Sequence, residues 1–262
     1  MYSKYSLTLY LQQKRKVMAL TYAIADIHGR FDLLQKADYV IWSDFSKAIE
    51  HHETPPTIVY TGDLIDRGLE SANVISYLMD SRNNQHCKRI VIAGNHEDMM
   101  VEIYQKRDDT GLLHWWIGNG GGQTLYSYNR EIDGMSLSEI DPVKIIKASH
   151  IEWLENLPRA YMDKHRVYVH AYVDPALPIG KQSADKMAWT IWSVGTDLPS
   201  FEGKHIVHGH EQSKDHPLLL KNRTNLDSFA WYTHRLVVGV FDDDLPGGPI
   251  RVLEVLGDKF KG

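Results

Sequence analysis

The chain has 262 residues, 43% hydrophobic and 24% charged, with a formal net charge of -5 at pH 7. That balance suits one sizeable globular core, and the acidity argues against a bulk electrostatic grip on nucleic acid. The single cysteine, Cys87, excludes an intramolecular disulfide and any thiolate zinc cluster.

In chain order, residues 1–19 read as an N-terminal extension and 20–262 as a single catalytic domain. The basic cluster Lys14-Arg15-Lys16 follows an apolar stretch instead of preceding it, which is the reverse of a signal peptide. No stretch approaches the roughly 18 apolar residues of a spanning helix. A cytoplasmic protein with no membrane partner is the expectation. Short runs rich in Val, Ile or Tyr at 21–25, 57–61, 89–93, 166–169 and 205–207 each end at Gly, Asp, Asn or His, as buried strands do. After the first run, Phe31, Leu34, Ile41 and their neighbours Leu33, Ala37 and Val40 form a helical apolar stripe that only Asp38 breaks. Residues 72–79 and 97–105 repeat that pattern more weakly. The stretch 115–164 reads as a helical insert around the glycine run 120–122. Asp242-Asp243-Asp244, before Leu245-Pro246-Gly247-Gly248, reads as a solvated turn.

Strand, polar turn and helix in repetition predict an α/β architecture, with chemistry in the loops at the carboxyl ends of the strands. The polar clusters fall there: Asp26-Ile27-His28-Gly29, Gly62-Asp63-Leu64-Ile65-Asp66-Arg67-Gly68, Gly94-Asn95-His96-Glu97, Val169-His170-Ala171 and His208-Gly209-His210. One such ending is an ordinary turn, but five able to converge on one sheet edge are not. Oxygen and imidazole donors without thiolates suit Mn, Fe, Zn or similar ions. Asp26 and His28 share one side of an extended segment, and the Asp63 carboxylate could bridge two ions.

These motifs, in this order and with residues 30–61 and 69–93 between the first three, resemble the calcineurin-like metallophosphoesterases, and most of all their bacterial and phage serine/threonine phosphoprotein phosphatases. The resemblance implies two mixed β-sheets packed as a sandwich flanked by helices. It implies two divalent ions, Mn2+ first with Fe or Zn as alternatives. Asp26, His28 and Asp63 would hold one, and Asp63, Asn95, His170 and His210 the other. His96 would protonate the leaving group, oriented by Asp66, and Arg67 would bind phosphate oxygens beside Asn95. The implied activity is phosphomonoester hydrolysis on a phosphorylated protein or a small phosphoester, by direct attack of a hydroxide bridging the ions.

Three departures shape the alternatives. Glu211 follows His210 where many metallophosphoesterases carry a further histidine after one residue, leaving His208 a neighbour of the site. Tyr172 stands where relatives have Gly after His-Ala, either a tolerated loop change or a phenol reaching substrate. The Trp-x-Arg element of relatives finds only Trp189-Thr190-Ile191 and Trp192-Ser193-Val194, with Arg223 as a substitute from another loop. Losing one charge-assisted pair costs phosphate binding about 1.5–3 kcal/mol. Dinucleoside polyphosphate hydrolysis is therefore one alternative, and a metal-retaining binding protein with weak turnover is another. His51, His52 and His114 read as surface or helix-end residues, and the tryptophans near 115 and 189 as packing.

Overall fold

The computed structural model describes residues 19–48, 54–192, 196–197 and 199–257. The N-terminal extension through residue 18, and His51 and His52, lie outside those residues.

Strand β1 (Leu20–Ile24) is buried on both faces. Leu20, Tyr22 and Ile24 face the helices, while Ala23 faces the second sheet. Helix α1 (Phe31–Ala48) lays Leu33, Leu34, Ala37, Ile41 and Phe45 on that first face. The polar break in its stripe is buried: Asp38 accepts from the Tyr60 and Tyr77 hydroxyls and from the Arg89 guanidinium. Next come β2 (Thr57–Tyr60), α2 (Ser71–Met79), β3 (Lys88–Val91) and α3 (Asn95–Gln105). The insert holds α4 (Thr110–Trp116), a π turn over Ile117–Gly121, α5 (Gly122–Tyr128), α6 (Pro142–Ile145) and α7 (Ala148–Glu155). The side chains of Asp109 and Asp141 accept backbone N–H groups at the starts of α4 and α6, as N-caps do.

The second half supplies β4 (Ala160–Met162), β5 (Arg166–Val169), α8 (Ala184–Trp189), β6 (His205–His208), β7 (Leu218–Leu219), β8 (Arg223–Asn225), α9 (Ala230–Thr233), β9 (Arg235–Asp242) and β10 (Arg251–Leu256). Two five-stranded mixed sheets result, in the orders β10-β9-β1-β2-β3 and β4-β5-β6-β8-β7. β1, β2 and β3 run parallel, as do β5, β6 and β8. Between the sheets, Ala23, Ala25, Val59, Ile92 and Phe241 meet Tyr168, Val207 and Leu226. A second layer of Val167, Val169, Met187, Trp192, Phe201 and Ile206 covers the far side of the second sheet. This is the expected sandwich, and its parallel strands aim their carboxyl ends at one edge.

Three details differ from the sequence reading. Residues 160–162 leave the helical insert as β4, because Tyr161 pairs with Tyr168 of β5 and their rings stack at 5.7 Å. β9 is the long buried partner of both β1 and β10. Its run ends at Asp242, and the acidic triplet starting there reads as a solvated turn, so no ligand motif marks the strand. The turn after it is not simply solvated: Asp242 is buried, and the fully buried Arg166 donates to the carbonyls of Asp242, Leu245 and Gly247 at 3.0, 2.6 and 3.0 Å.

Helix α7 docks through a buried imidazole. Ser76 Oγ donates to the Ala72 carbonyl, so its oxygen accepts from His150 Nε2 at 3.3 Å, and His150 Nδ1 accepts from the Tyr128 hydroxyl at 2.6 Å. Burial, with Lys147 nearby, pushes the His150 imidazolium down to about 4. The unfolded chain therefore binds a proton here first, and this contribution to stability is lost as pH falls from about 6.5 towards 4. Urea midpoints at pH 7.5 and 5 should differ less for His150→Gln than for the parent chain.

Candidate active site

Each site loop leaves a parallel strand and turns at once. Asp26, His28, Asp63, Asp66, Arg67 and His210 all adopt positive φ, between 46° and 69°. Side chains in this left-handed region cost free energy that the surroundings must offset, and such residues gather at functional sites. The turns also bring backbone against carboxylates. A Cβ on Gly94 would stand 2.2 Å from Asp63 Oδ1, and one on Gly209 1.8 Å from Asp26 Oδ2. Only glycine fits at either place.

The donors converge as follows. His170 gives its Nδ1–H to the Thr61 carbonyl at 2.9 Å, leaving Nε2 as the lone pair of a neutral ring. That nitrogen lies 3.2 Å from Asp63 Oδ1, 3.0 Å from Asn95 Oδ1 and 3.2 Å from His210 Nδ1. His28 likewise gives Nδ1 to the Ile65 carbonyl at 2.8 Å, and its Nε2 is 3.7 Å from Asp63 Oδ2. Anchoring the second ring nitrogen on a carbonyl is what metal-binding imidazoles do. Acceptors facing acceptors in a buried space need a positive charge between them. Two groups fit an ion: His28 with Asp63 and His96, and Asp63 with His170 and His210, each with donor atoms within 4.8 Å of one another. The mixed oxygen and imidazole set suits a divalent first-row metal.

Electrostatics point the same way. Burial raises Asp63, but His170 and His96 outweigh it and hold the carboxyl well below its usual range. Burial lowers His170, yet Asp63 overrides it and the imidazolium is pushed up to about 10. Burial, then Asp227, drives Asp26 well above a normal carboxylate, while burial, then His96, drives His28 well below a normal imidazole. The Asp26 carboxylate accepts the His210 N–H at 3.1 Å. Asp26 thus stands beside the cluster, whereas His96 groups with His28 and Asp63, a grouping the sequence does not suggest.

His96 is tied from behind. Its Nδ1 meets Asp66 Oδ2 at 2.7 Å, and that fully buried carboxylate also accepts Trp116 Nε1 at 2.9 Å and Thr124 Oγ1 at 2.6 Å. Burial lowers the His96 pKa, but Asp63 and Asp66 outweigh it and the net shift is upward. Arg67 reaches across the front, with Nη1 3.1 Å from His28 Nε2 and Nη2 3.3 Å from His96 Nε2. Its Nη1 also donates to Gln212 Oε1 at 2.9 Å, and its guanidinium lies 5.5 Å from the centre of the Trp231 ring.

Arg223 and Tyr172 are not brought to this cluster. Arg223 is fully buried, donating to the Thr196 carbonyl at 3.0 Å, with Nη1 2.9 Å from His208 Nε2 and 3.4 Å from Glu211 Oε2. Such a cation holds the second sheet together and does not face solvent. Tyr172 packs on Trp192 with ring centroids 4.3 Å apart, and Trp192 Nε1 donates to the Ala171 carbonyl at 2.7 Å. Trp115 and Trp189 pair at 6.0 Å yet stay 43% and 41% exposed, so they are not core. The backbone of Trp189 also holds the His210 ring.

No role follows from the sequence for Glu97, although it closes the third motif. Its carboxylate accepts the N–H groups of Asp63, Leu64 and Gly94 at 2.9, 2.9 and 2.7 Å, clamping two ligand loops together. Thr124, Gln212 and Trp231 carry no motif signal and are found only through the fold.

A sandwich with convergent donors at one edge and an acid-like His–Asp pair beside them defines a metal-dependent phosphoesterase. Residues 20–214 match the calcineurin-like phosphoesterase profile, and the chain belongs to that family. Among curated relatives, an uncharacterised protein of Schizosaccharomyces pombe is 35% identical over 98 residues, 34% of this chain and 28% of its own. A symmetrical bis(5'-nucleosyl)-tetraphosphatase of Actinobacillus pleuropneumoniae is 26% identical over 111 residues, 36% of this chain and 37% of its own. The matched stretch therefore spans well under half of either relative. Among solved structures, a putative diadenosine tetraphosphatase superposes with a TM-score of 0.55 at 19% identity, covering 95% of this chain and 100% of that one. A cold-active protein-tyrosine phosphatase of a psychrophilic Shewanella gives 0.54 at 16%, covering 92% and 82%. A protein serine/threonine phosphatase of Saccharomyces cerevisiae gives 0.53 at 16%, covering 95% and 82%. These three show the shared fold.

Gly209→Ala should displace the Asp26 carboxylate without touching a donor. Equilibrium dialysis should find weaker Mn2+ binding in this variant, with the far-ultraviolet spectrum of the parent retained. Unchanged metal affinity would mean that Asp26 stands apart from the metal centre.

Proposed function

We propose that the protein is a two-metal hydrolase of phosphoric anhydrides whose substrates are dinucleoside polyphosphates. The observation that carries the reaction type is the convergence of lone pairs from Asp63, Asn95, His170 and His210 beside the His96–Asp66 pair. Asp26, His28 and Asp63 would hold one divalent ion, and Asp63, Asn95, His170 and His210 the second, with Mn2+ the first candidate. Two such ions would supply Lewis-acid charge at the phosphoryl oxygens and acidify a water between them.

The chain's own residues do the rest. Glu97 fixes the Asp63 loop against the Asn95 loop, so the donors keep their spacing. Asp66 holds the His96 Nδ1–H and steadies the cationic ring, leaving Nε2 to hand a proton to the departing oxygen. We therefore keep His96 as the general acid, and Asp26 as the ligand in its stead. Arg67 offers a planar fork to phosphate oxygens.

The substrate class rests on charge. A terminal phosphomonoester carries about 1.5 to 2 negative charges at neutral pH, and among the described residues no second arginine is presented beside Arg67. An internal phosphate of a polyphosphate chain carries about one charge, which one guanidinium can match. The named nucleotide-cleaving relatives support the same class. Phosphoserine or phosphothreonine in a protein is the second reading, favoured by the exposed Trp115–Trp189 pair next to His210, which could receive peptide side chains.

Metal-stripped protein should be inactive on diadenosine tetraphosphate and recover with Mn2+, and Asp63→Asn should prevent recovery. A phosphopeptide cleaved far faster than the dinucleotide would reverse the order of the two readings. His96→Asn should lower kcat by roughly 10²–10⁴ on alkyl phosphates, whose leaving groups need a proton. The loss on p-nitrophenyl phosphate, with its better leaving group, should be smaller, and an equal loss on both would remove the general-acid assignment.

A further inference from the structure

Beyond Arg67 the cluster opens into a cavity of about 340 Å³, lined by Arg67, Asn119, Gly120, Gln123, Gln212 and Trp231 together with Ile117 and Gly118. Arg67 is the only charged residue in that lining, and it sits at the metal end. The volume lies at the lower end of the ~300–1,000 Å³ of small-molecule sites. From the geometry of this cavity we infer that it is the seat of a nucleoside, whose base stacks on Trp231 while Arg67 grips the adjoining phosphate. The inference rests on the polyphosphate reading above and adds the recognition element to it.

Four features carry the assignment. First, Trp231 is half-buried and belongs to a braced aromatic group: its ring meets Phe229 at 5.0 Å and Tyr232 at 6.0 Å. The segment is tied down by Ser228 Oγ on the Arg235 carbonyl at 2.7 Å and by Thr233 Oγ1 on the Phe229 carbonyl at 3.1 Å. A rigid ring loses little entropy when a base stacks on it. Second, the Trp231 indole N–H is buried and has no hydrogen-bond partner among the described residues, so the accessible part of this half-buried side chain is its carbon surface, on which a base stacks.

Third, the remaining polar lining is neutral. Asn119, Gln123 and Gln212 bring amides that both donate and accept, which suits a base edge or ribose hydroxyls and not a second phosphate. Fourth, Arg67 lies 5.5 Å from the ring centre, near the ~6 Å outer limit of such contacts. Cation and indole thus stand together at one end of the cavity, where a phosphate and its adjoining base would lie. The cavity opens to solvent beside the Gly120 backbone, which accepts the Arg67 N–H at 3.0 Å and so fixes the arginine at its edge.

The test compares kcat/KM for diadenosine tetraphosphate with that for inorganic tripolyphosphate, which has no base, in the Mn2+-loaded protein. Trp231→Leu should lower the ratio of the two constants by roughly ten-fold, from the usual magnitude of base–aromatic stacking. Trp231→Phe, which keeps a ring, should restore most of it. A ratio unchanged in Trp231→Leu would overturn the seat, as would a wild type that cleaves tripolyphosphate but not the dinucleotide, and either result would leave the metal centre standing. If the wild type cleaves neither compound, the hydrolase reading fails, and ADP binding decides the seat separately. ADP should then quench tryptophan fluorescence in the wild type and lose that quench in Trp231→Phe, and no quench in the wild type would overturn it.

Discussion

At one edge of the sandwich, groups that repel one another are pressed together out of water. Asp63, Asn95, His170 and His210 aim lone pairs at a common point, and Asp26, Asp63 and Asp227 are buried carboxylates close enough to raise or lower one another's affinity for protons. Left alone, such a cluster takes up protons, which is why the burial that lowers His170 is overridden by Asp63, pushing it up to about 10, and why burial and Asp63 together push Glu97 up to about 7. Divalent cations resolve the repulsion without altering a side chain. The rest of the site can be understood as what keeps that unfavourable arrangement from relaxing. Glu97 clamps two loops, backbone carbonyls fix two rings, and the positive-φ turns are held by strands packed on both sides.

The second dependence runs from the insert to the chemistry. Trp116 and Thr124 lie in helices that contribute no metal donor, yet both bind the Asp66 carboxylate that orients His96. Gly121 packs so closely on the Trp116 ring that a Cβ there would approach within 2.3 Å. The glycine run is thus a packing feature that lets the tryptophan reach Asp66, and the insert helps to fix the His96–Asp66 pair.

Much of this was legible in the sequence, because both the strands and the ligands announce themselves locally. Val, Ile and Tyr runs ending in Asp, Asn or His mark β1, β2, β3, β5 and β6, and the motifs at their ends carry the donors. What was not legible depends on distance in the chain. Arg223 and Tyr172 have donors suited to a substrate site, but their orientation is set by Glu211 and Trp192, which no local pattern specifies. β9 escaped because the acidic triplet at its end, Asp242-Asp243-Asp244, reads as a turn and not as a ligand motif. Trp231 and Gln212 lie on segments without a motif, and only the closure of the two sheets brings them beside Arg67.

The N–H of Arg67 is hydrogen-bonded to the Gly120 carbonyl, so the residue proposed to bind phosphate and the cavity wall share one backbone contact. Coupling between two occupants of such a joint is reciprocal: whatever factor one adds to the other's affinity, it receives in return. A nucleotide lingering in the chamber would therefore hold back the phosphate it was cut from. Affinity at the two ends of the cavity would then be set together, so a substitution that weakens what one occupant adds to the other should weaken the reverse by the same factor.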